Sequence, residues 1–441
     1  MALAERCDLH GILAERLHIP TDKGCNASGK VATIVAGCSR VPTRLMTWTW
    51  FVMVGCPRCF GGVYAPSTLG EFLRAFSHGH VRQLQGASRE FLVQLARHTP
   101  LLPGAGAVTF IDVDSLLRRV YGKQKQGAAF GHAKVGGYQV LLRGLNPLVA
   151  TISTPDAAPV IAATQLRSGN ASSARGAASL IAEAVTTTRA VLAAQPAAAV
   201  GEIVVRADSA FYSRKVIAAC SRAGVRFSVT VRMDAKLRRA IDAIPDDAWV
   251  EIEYPQPVWD EDQQRFVSRA HIAETSYTAF EDTDDAVTAR LVARRIPDLN
   301  KTQADDQGEL FTVWRYHAAF TDSPFVLTQA EAHHRAHAIV EQVFAELIDG
   351  PLAHLPSGRF TANNAWLTCI AIAHNLTRAA ATLAGRRYAT ARAATIRRRI
   401  INVAGRIARH ARTVTIHLPQ HWPWQHSWQR LWDAVHPPPT R

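Results

Sequence analysis

Residues 202–213 read EIVVRADSAFYS. Ile203, Val204 and Val205 form a β-branched run that predicts a buried strand, and the strand gives out on Asp208. In folds of mixed helices and sheets, strand ends are where binding and chemistry gather. An acid there has two physical readings. Asp208 before Ser209 suits a helix N-cap, because its carboxylate can accept from exposed backbone N–H groups. It equally suits a ligand, because hard divalent cations take oxygen donors of this kind.

Other acids stand at comparable places. In AVTFIDVDS (107–115), the period-two alternation of a strand puts Asp112 and Asp114 on one face, with Phe110 beside them. In HAIVEQVFAELI (337–348), the stripe Val340, Val343, Phe344 and Leu347 predicts a helix whose apolar face Glu341 borders. Edge-strand charges and a solvated helix face are the plain alternatives. Three acids on two strands and one helix can converge to hold two divalent metals for phosphoryl transfer. Spacing alone leaves the choice open.

The flanking sequence predicts an α/β frame. Strands are expected at YQVLL (138–142), LVATIST (148–154) and RFSVTVRM (226–233). Helices are expected through APVIAATQLR (158–167), SSARGAASLIAEAVTTTRAVLAA (172–194) and RKVIAACSRAG (214–224). Strands followed by alternating helix and strand argue for a three-layer α/β or mixed sheet domain. From 248 to 320 the texture changes to polar–apolar alternation with dense acid, which predicts an antiparallel β-rich insertion. Helix returns at 327–350 and 361–385.

Residues 1–100 read as mostly helical, with an irregular interruption from about 38 to 68. Phe72, Phe76, Val81, Leu84, Phe91, Leu92 and Leu95 recur at helical spacing, with Arg74, Arg82, Arg89 and Arg97 between them. Such a basic amphipathic face can lie on DNA or be merely solvated. From residue 376 onward there are twelve arginines, Arg397, Arg398 and Arg399 among them, against one acid, Asp433.

Composition narrows the function classes. The chain has 441 residues, a formal net charge of +14 and a pI near 9.8. A surplus of that size points to a polyanionic partner, nucleic acid above all, although an Arg-rich codon bias produces the same count. The N-terminal residues are charged throughout and lack the apolar core of a secretory signal. MTWTWFVMVG (46–55) is too short to span a bilayer. Seven scattered cysteines argue against a disulfide framework, and a cytoplasmic, nucleoid-associated protein is expected.

Several segments together resemble a known family. FIDVDS, YGKQKQGAAFGH, VVRADSAFY, HAIVEQ, GPLAHLPSGRF with NNAWL and IAHNLTRA, and INVAGRIARHARTVTIHLPQHWPW occur in order from about residue 60 to the C-terminus. They are similar to the DDE transposases of bacterial insertion sequences, in the family numbered thirteen-eighty. The resemblance implies an RNase H-like catalytic domain (106–247 plus 321–385) interrupted by a β-rich insertion (248–320). A helical, DNA-binding N-terminal region (1–105) and a basic helical C-terminal segment (386–441) would flank it. It implies Asp114, Asp208 and Glu341 as catalytic metal ligands for two Mg²⁺ ions, with Mn²⁺ able to substitute and Asp112 the rival first acid. Leu116 stands where the family commonly has Thr. The partners implied are double-stranded DNA, as terminal inverted repeats and target, and a second copy of the chain on that DNA, with no membrane. Arg397, Arg398, Arg399, Arg74 and Arg82 are the expected phosphate contacts.

The chain also departs from the pattern. The wider group carries Lys seven positions after the third acid, where this chain has Ile348, and Tyr and Arg upstream of it, where this chain has His334 and His337. Residues 38–59 are unlike the family. Codons compatible with VPTRLMTWTWFVMVG, read with a one-base offset, encode GADSIDDMDLVRHGGM, the peptide that the family carries there. Compensating frameshifts are therefore expected in the coding DNA, and a decayed copy that only binds DNA is the alternative function. Cys56 and Cys59 form half a zinc site with no answering pair nearby. The chain opens inside what resembles the family's N-terminal domain, so further upstream sequence is expected.

Overall fold

The computed structural model describes residues 1–20, 22–40, 63–135, 138–195, 201–260, 265–297, 314–410 and 413–436. Most of the anomalous segment, including Cys56 and Cys59, lies outside the described residues.

A mixed sheet organises the chain. Its strands are β1 (Val108–Ser115), β2 (Arg118–Arg119), β3 (Ala129–Val135), β4 (Tyr138–Thr154), β5 (Ala157–Ser168), β6 (Glu202–Ala207) and β7 (Arg226–Thr230). Four more follow: β8 (Val250–Asp260), β9 (Arg265–Ala279), β10 (Val287–Pro297) and β11 (Trp314–Thr321). Strands β5, β4 and β1 are successive antiparallel neighbours, whereas β6 and then β7 run parallel to β1. The stretch expected to be β-rich forms the antiparallel strands β8–β11. Its last strand pairs antiparallel with β7, so the four strands extend the same sheet.

The helices are α1 (Leu9–Arg16), α2 (Ala27–Arg40), α3 (Pro66–Arg74), α4 (His78–His98), α5 (Ala177–Ala194) and α6 (Arg214–Arg222). They continue as α7 (Leu327–Arg335), α8 (Ile339–Ile348), α9 (Phe360–Ala384) and α10 (Gln425–Val435). Helix α4 starts where Ser77 and His80 form a reciprocal capping box, and it buries the apolar positions from Val81 to Leu95 read from the sequence. Helix α9 is buried almost all round and packs on α2, α3, α4 and β5, so the N-terminal helices and the sheet share one core. Helix α5 alone among the described residues is long and apolar enough to cross a membrane. It is half buried and packs on β4, β5, α4 and α6, as a core helix does.

Four expectations need correction. Residues 158–167, read as helix, form strand β5, which α5 and α9 both cover. Burial on both faces removes the period-two alternation, and a short apolar run of this kind reads as either element. The two strands expected at 138–142 and 148–154 are one, β4. The basic C-terminal segment is not wholly helical: β12 (Arg406–His410) and β13 (Thr413–His417) form a hairpin before α10. The helix read over 327–350 is also broken, by a 3₁₀ turn at Ala336–Ala338 between α7 and α8.

Strand β5 is an edge, and α9 protects it. Asn375 accepts from the Ile161 N–H (2.7 Å) and donates to the Ile161 carbonyl (2.8 Å), while Asn364 accepts from the Leu166 N–H at 3.3 Å. An exposed strand edge invites pairing with other chains, and these side chains occupy its hydrogen-bonding groups. His374, its pKa pushed down to about 3 mainly by burial, bonds the Pro159 carbonyl at 3.0 Å. The NNAWL and IAHNLTRA segments are thus sealing elements.

Candidate active site at the ends of β1 and β6

Phe110, Asp112 and Asp114 share one face of β1, as alternation predicts. Parallel register pairs Asp112 with Arg206 and Val113 with Ala207. Asp114 and Asp208 are therefore the next residues along, side by side where the two strands end, with neighbouring strands about 4.8 Å apart. Helix α8 packs against β1 and presents Glu341 in its first turn.

The two acids of β1 have different surroundings. Asp112 is fully buried, and Arg206 grips it with Nε and Nη2, each at 2.7 Å from a carboxylate oxygen. Ser153 adds a hydroxyl donor at 3.3 Å. The Arg206 guanidinium lies 3.7 Å from the Phe110 ring centroid and donates to the His333 carbonyl at 2.5 Å. Both charges are satisfied internally, which is the condition for burying them. Both oxygens of Asp112 are thus already engaged inside the protein.

Asp114 is open by comparison. One of its oxygens accepts from the Ser115 N–H at 2.6 Å. Its pKa is pushed up to about 7, first by burial and further by the like charges of Asp208 and Glu341; the Ser115 hydrogen bond and the Arg167 charge oppose the rise. Asp208 is exposed and caps the 3₁₀ turn Ser209–Phe211, with one oxygen accepting from the Ala210 N–H at 2.9 Å. The cap reading of Asp208 is thus correct as far as it goes, and it leaves the second oxygen uncommitted. Glu341 is exposed. Among the described residues, no ion pair involves Asp114, Asp208 or Glu341.

Asp114, which feels the charges of Asp208 and Glu341, and those two acids, none of them in an ion pair, offer the donor chemistry that a hard divalent cation satisfies. They are not drawn into a closed set: among the described residues no group of three His, Cys, Asp or Glu is gathered tightly enough to hold a metal.

A cleft of about 740 Å³ is lined by Glu341 together with Arg392, Arg397 and Arg398. The arginine triplet divides within it. Arg397 is largely buried, its pKa lowered chiefly by that burial, and it donates to the Ser39 carbonyl at 3.3 Å. Arg399 lies over the Trp424 ring at 5.1 Å. Arg398 is exposed. In the N-terminal region, Arg82 bonds Glu183 of α5 at 3.2 Å, an ion that Arg89 shares, while Arg74 is exposed.

Sequence reading missed Arg167. It is buried on β5, with Nη1 donating to the carbonyls of Ser172, Ser173 and Arg175 and Nη2 to Asn146 at 2.7 Å. Burial lowers its pKa to about 10, and its charge is felt at Asp114. His334, at the departure from the family pattern, is held between Ser228 and Thr230 of β7, each at 2.9 Å. Burial first, then the nearby charge of His337, keeps it neutral. The same position therefore ties α7 to the sheet.

A model of the family described as transposase DDE domain group 1 matches residues 53–439. No protein of curated function matches the chain.

Proposed function

The chain belongs to this DDE transposase family, and from that premise we propose that it is an insertion-sequence transposase with an RNase H-like catalytic centre. It binds the terminal inverted repeats of its element, cuts the DNA ends and joins the freed 3′-hydroxyls to target DNA, with no covalent protein intermediate. The observation that carries this reading is the adjacency of Asp114 and Asp208 on neighbouring parallel strands, with Asp114 within charge reach of both Asp208 and Glu341.

Asp114, Asp208 and Glu341 would hold two Mg²⁺ ions, with Mn²⁺ able to replace them. When bound, such ions activate the attacking water or 3′-hydroxyl and stabilise the leaving oxygen of an in-line displacement. The chain's own groups prepare the place. The Ser115 N–H fixes one oxygen of Asp114, and the Ala210 N–H fixes one of Asp208, so each carboxylate presents its other oxygen in a set direction. Arg392 and Arg398 line the same cleft as Glu341, where they could meet a phosphate backbone entering the site. Synapsis of two ends calls for a homodimer on DNA.

The test is excision and rejoining of a donor plasmid bearing the element's ends, with Mg²⁺, for the wild type and Asp208→Ala. Loss of all strand breakage in the variant, with binding to the ends retained, is the expected result. Breakage that survives Asp208→Ala would refute the site. Cutting without joined products would leave a nuclease, and binding without cutting in the wild type would leave a DNA-binding remnant.

A further inference from the structure

Strand β4 is longer than its sheet requires. It pairs with β1 from Leu148 onward and with β5 from Leu145 onward, but residues 138–143 pair with β3 alone. Because β4 runs antiparallel to β1, this two-stranded ribbon continues past Ser115, the end that carries Asp114 and Asp208. Ten residues separate Leu148 from Tyr138, a reach of about 33 Å at roughly 3.3 Å per residue. That is close to one turn of B-form DNA, about 34 Å.

A lone two-stranded ribbon is marginal in water, and this one turns apolar groups outward. Tyr138 is 79% exposed, Tyr121 70%, Phe130 60% and Leu141 55%. Register places Phe130 beside Arg143, His132 beside Leu141, and Gln139 on the same face. Charge is one-sided: residues 115–155 contain six Lys or Arg and no acid. Arg118 and Lys125 are committed to carbonyls of residues 352–357, and Arg143 holds the turn before β3 through the Gly122 and Lys123 carbonyls. Arg119, stacked 4.9 Å over Tyr121, and Lys123 and His132 remain toward solvent.

Exposed rings among cations, with no acid, are complementary to a polyanion that also offers apolar surface. The major groove of duplex DNA admits a two-stranded ribbon and displays thymine methyl groups between phosphate rows. We propose that the β3–β4 ribbon is a DNA arm, lying in the major groove about one turn from the bond addressed by the three acids. It rests on the reading of this chain as a DNA-processing protein, but its test needs no cleavage.

Fluorescence anisotropy with the full-length protein and a mixed-sequence 40-bp duplex, at several salt concentrations, reads the arm directly. Arg119→Ser with Lys123→Ser should weaken binding roughly tenfold near physiological salt and lower the log–log salt slope by about two, since each phosphate contact contributes about 0.9. Phe130→Ala with Tyr138→Ala should weaken binding several-fold and leave the slope unchanged. A photo-crosslinker attached to Gln139→Cys should mark the duplex. Unchanged binding by both double variants, at wild-type melting temperature, overturns the arm. So does cross-linking of Gln139→Cys to a second copy of the chain in place of DNA. A wild type that binds through the ribbon but never cuts would sustain the arm and sink the catalytic reading, so the two fail separately.

Discussion

The middle of β1 and its end place an acid each, two residues apart on one face, and treat them in opposite ways. Asp112 is closed: a buried arginine on the next strand takes both oxygens, and an aromatic ring backs the guanidinium. Asp114 is left without an ion pair, its pKa raised to about 7 first by burial and then by the two further carboxylates beside it. The first arrangement spends its charge inside the protein; the second keeps charge for something that arrives from outside. What separates the two regions is the strand next door, which offers Arg206 at one step and Asp208 two steps later.

The contrast breaks most visibly if Asp112 is removed. Asp112→Ala strands the buried guanidinium of Arg206, and loss of one partner of a buried pair costs about 3–5 kcal/mol. Chemical denaturation should show a loss of that size. Asp112→Leu combined with Arg206→Met should recover much of it, because an apolar pair of similar volume escapes the desolvation cost. A double variant no more stable than Asp112→Ala would mean that the ion pair holds the strands in register as well as satisfying its own charges.

Asp114 predicts the reverse sign. Its folded pKa, about 7, stands above the ordinary 3.8, so the folded state binds this proton more tightly than the unfolded chain does. Stability from this group is full below the ordinary value, falls as pH rises towards about 7, and stays low above it. Discounted for the side chain's partial exposure to solvent, the loss is on the order of 2 kcal/mol. Asp114→Asn cannot ionise. In the absence of divalent metal it should match the wild type near pH 4 and exceed it by that amount at pH 8, while abolishing strand cleavage. Adding Mg²⁺ should raise the wild type and narrow the gap. An asparagine variant less stable than the wild type at pH 8 would show that burial and the neighbouring carboxylates do not penalise the ionised Asp114.

How far the sequence carried these distinctions follows from the same physics. Strands β1 and β6 were legible because their apolar runs end at acids. Strand β5 was not, because helices cover both its faces and erase the alternation. Choosing between Asp112 and Asp114 was beyond spacing, since both point the same way. A usable signal lay in VVRADS: a charged Arg206 inside a buried run demands a buried acid opposite, which assigns Asp112 and frees Asp114. Arg82 and Arg89 gave no such clue. Their partner, Glu183, is about a hundred residues away, on a helix whose packing only the fold supplies.

The arginine triplet carries the smallest effect and tests the same division between spent and available charge. Arg397 is partly buried against the end of α2, whereas Arg398 is exposed in the cleft beside Glu341. Arg398→Ser should leave the melting temperature unchanged, weaken duplex binding by a few-fold and lower the salt slope by about one, the signature of a single lost phosphate contact. Arg397→Ser should lower the melting temperature, because it removes a partly buried side chain and leaves the Ser39 carbonyl without its donor. Any binding loss it shows should vanish once the folded fraction is accounted for. Equal slopes for the two variants would mean that burial does not sort these arginines, and that Arg397 also reaches the backbone of bound DNA.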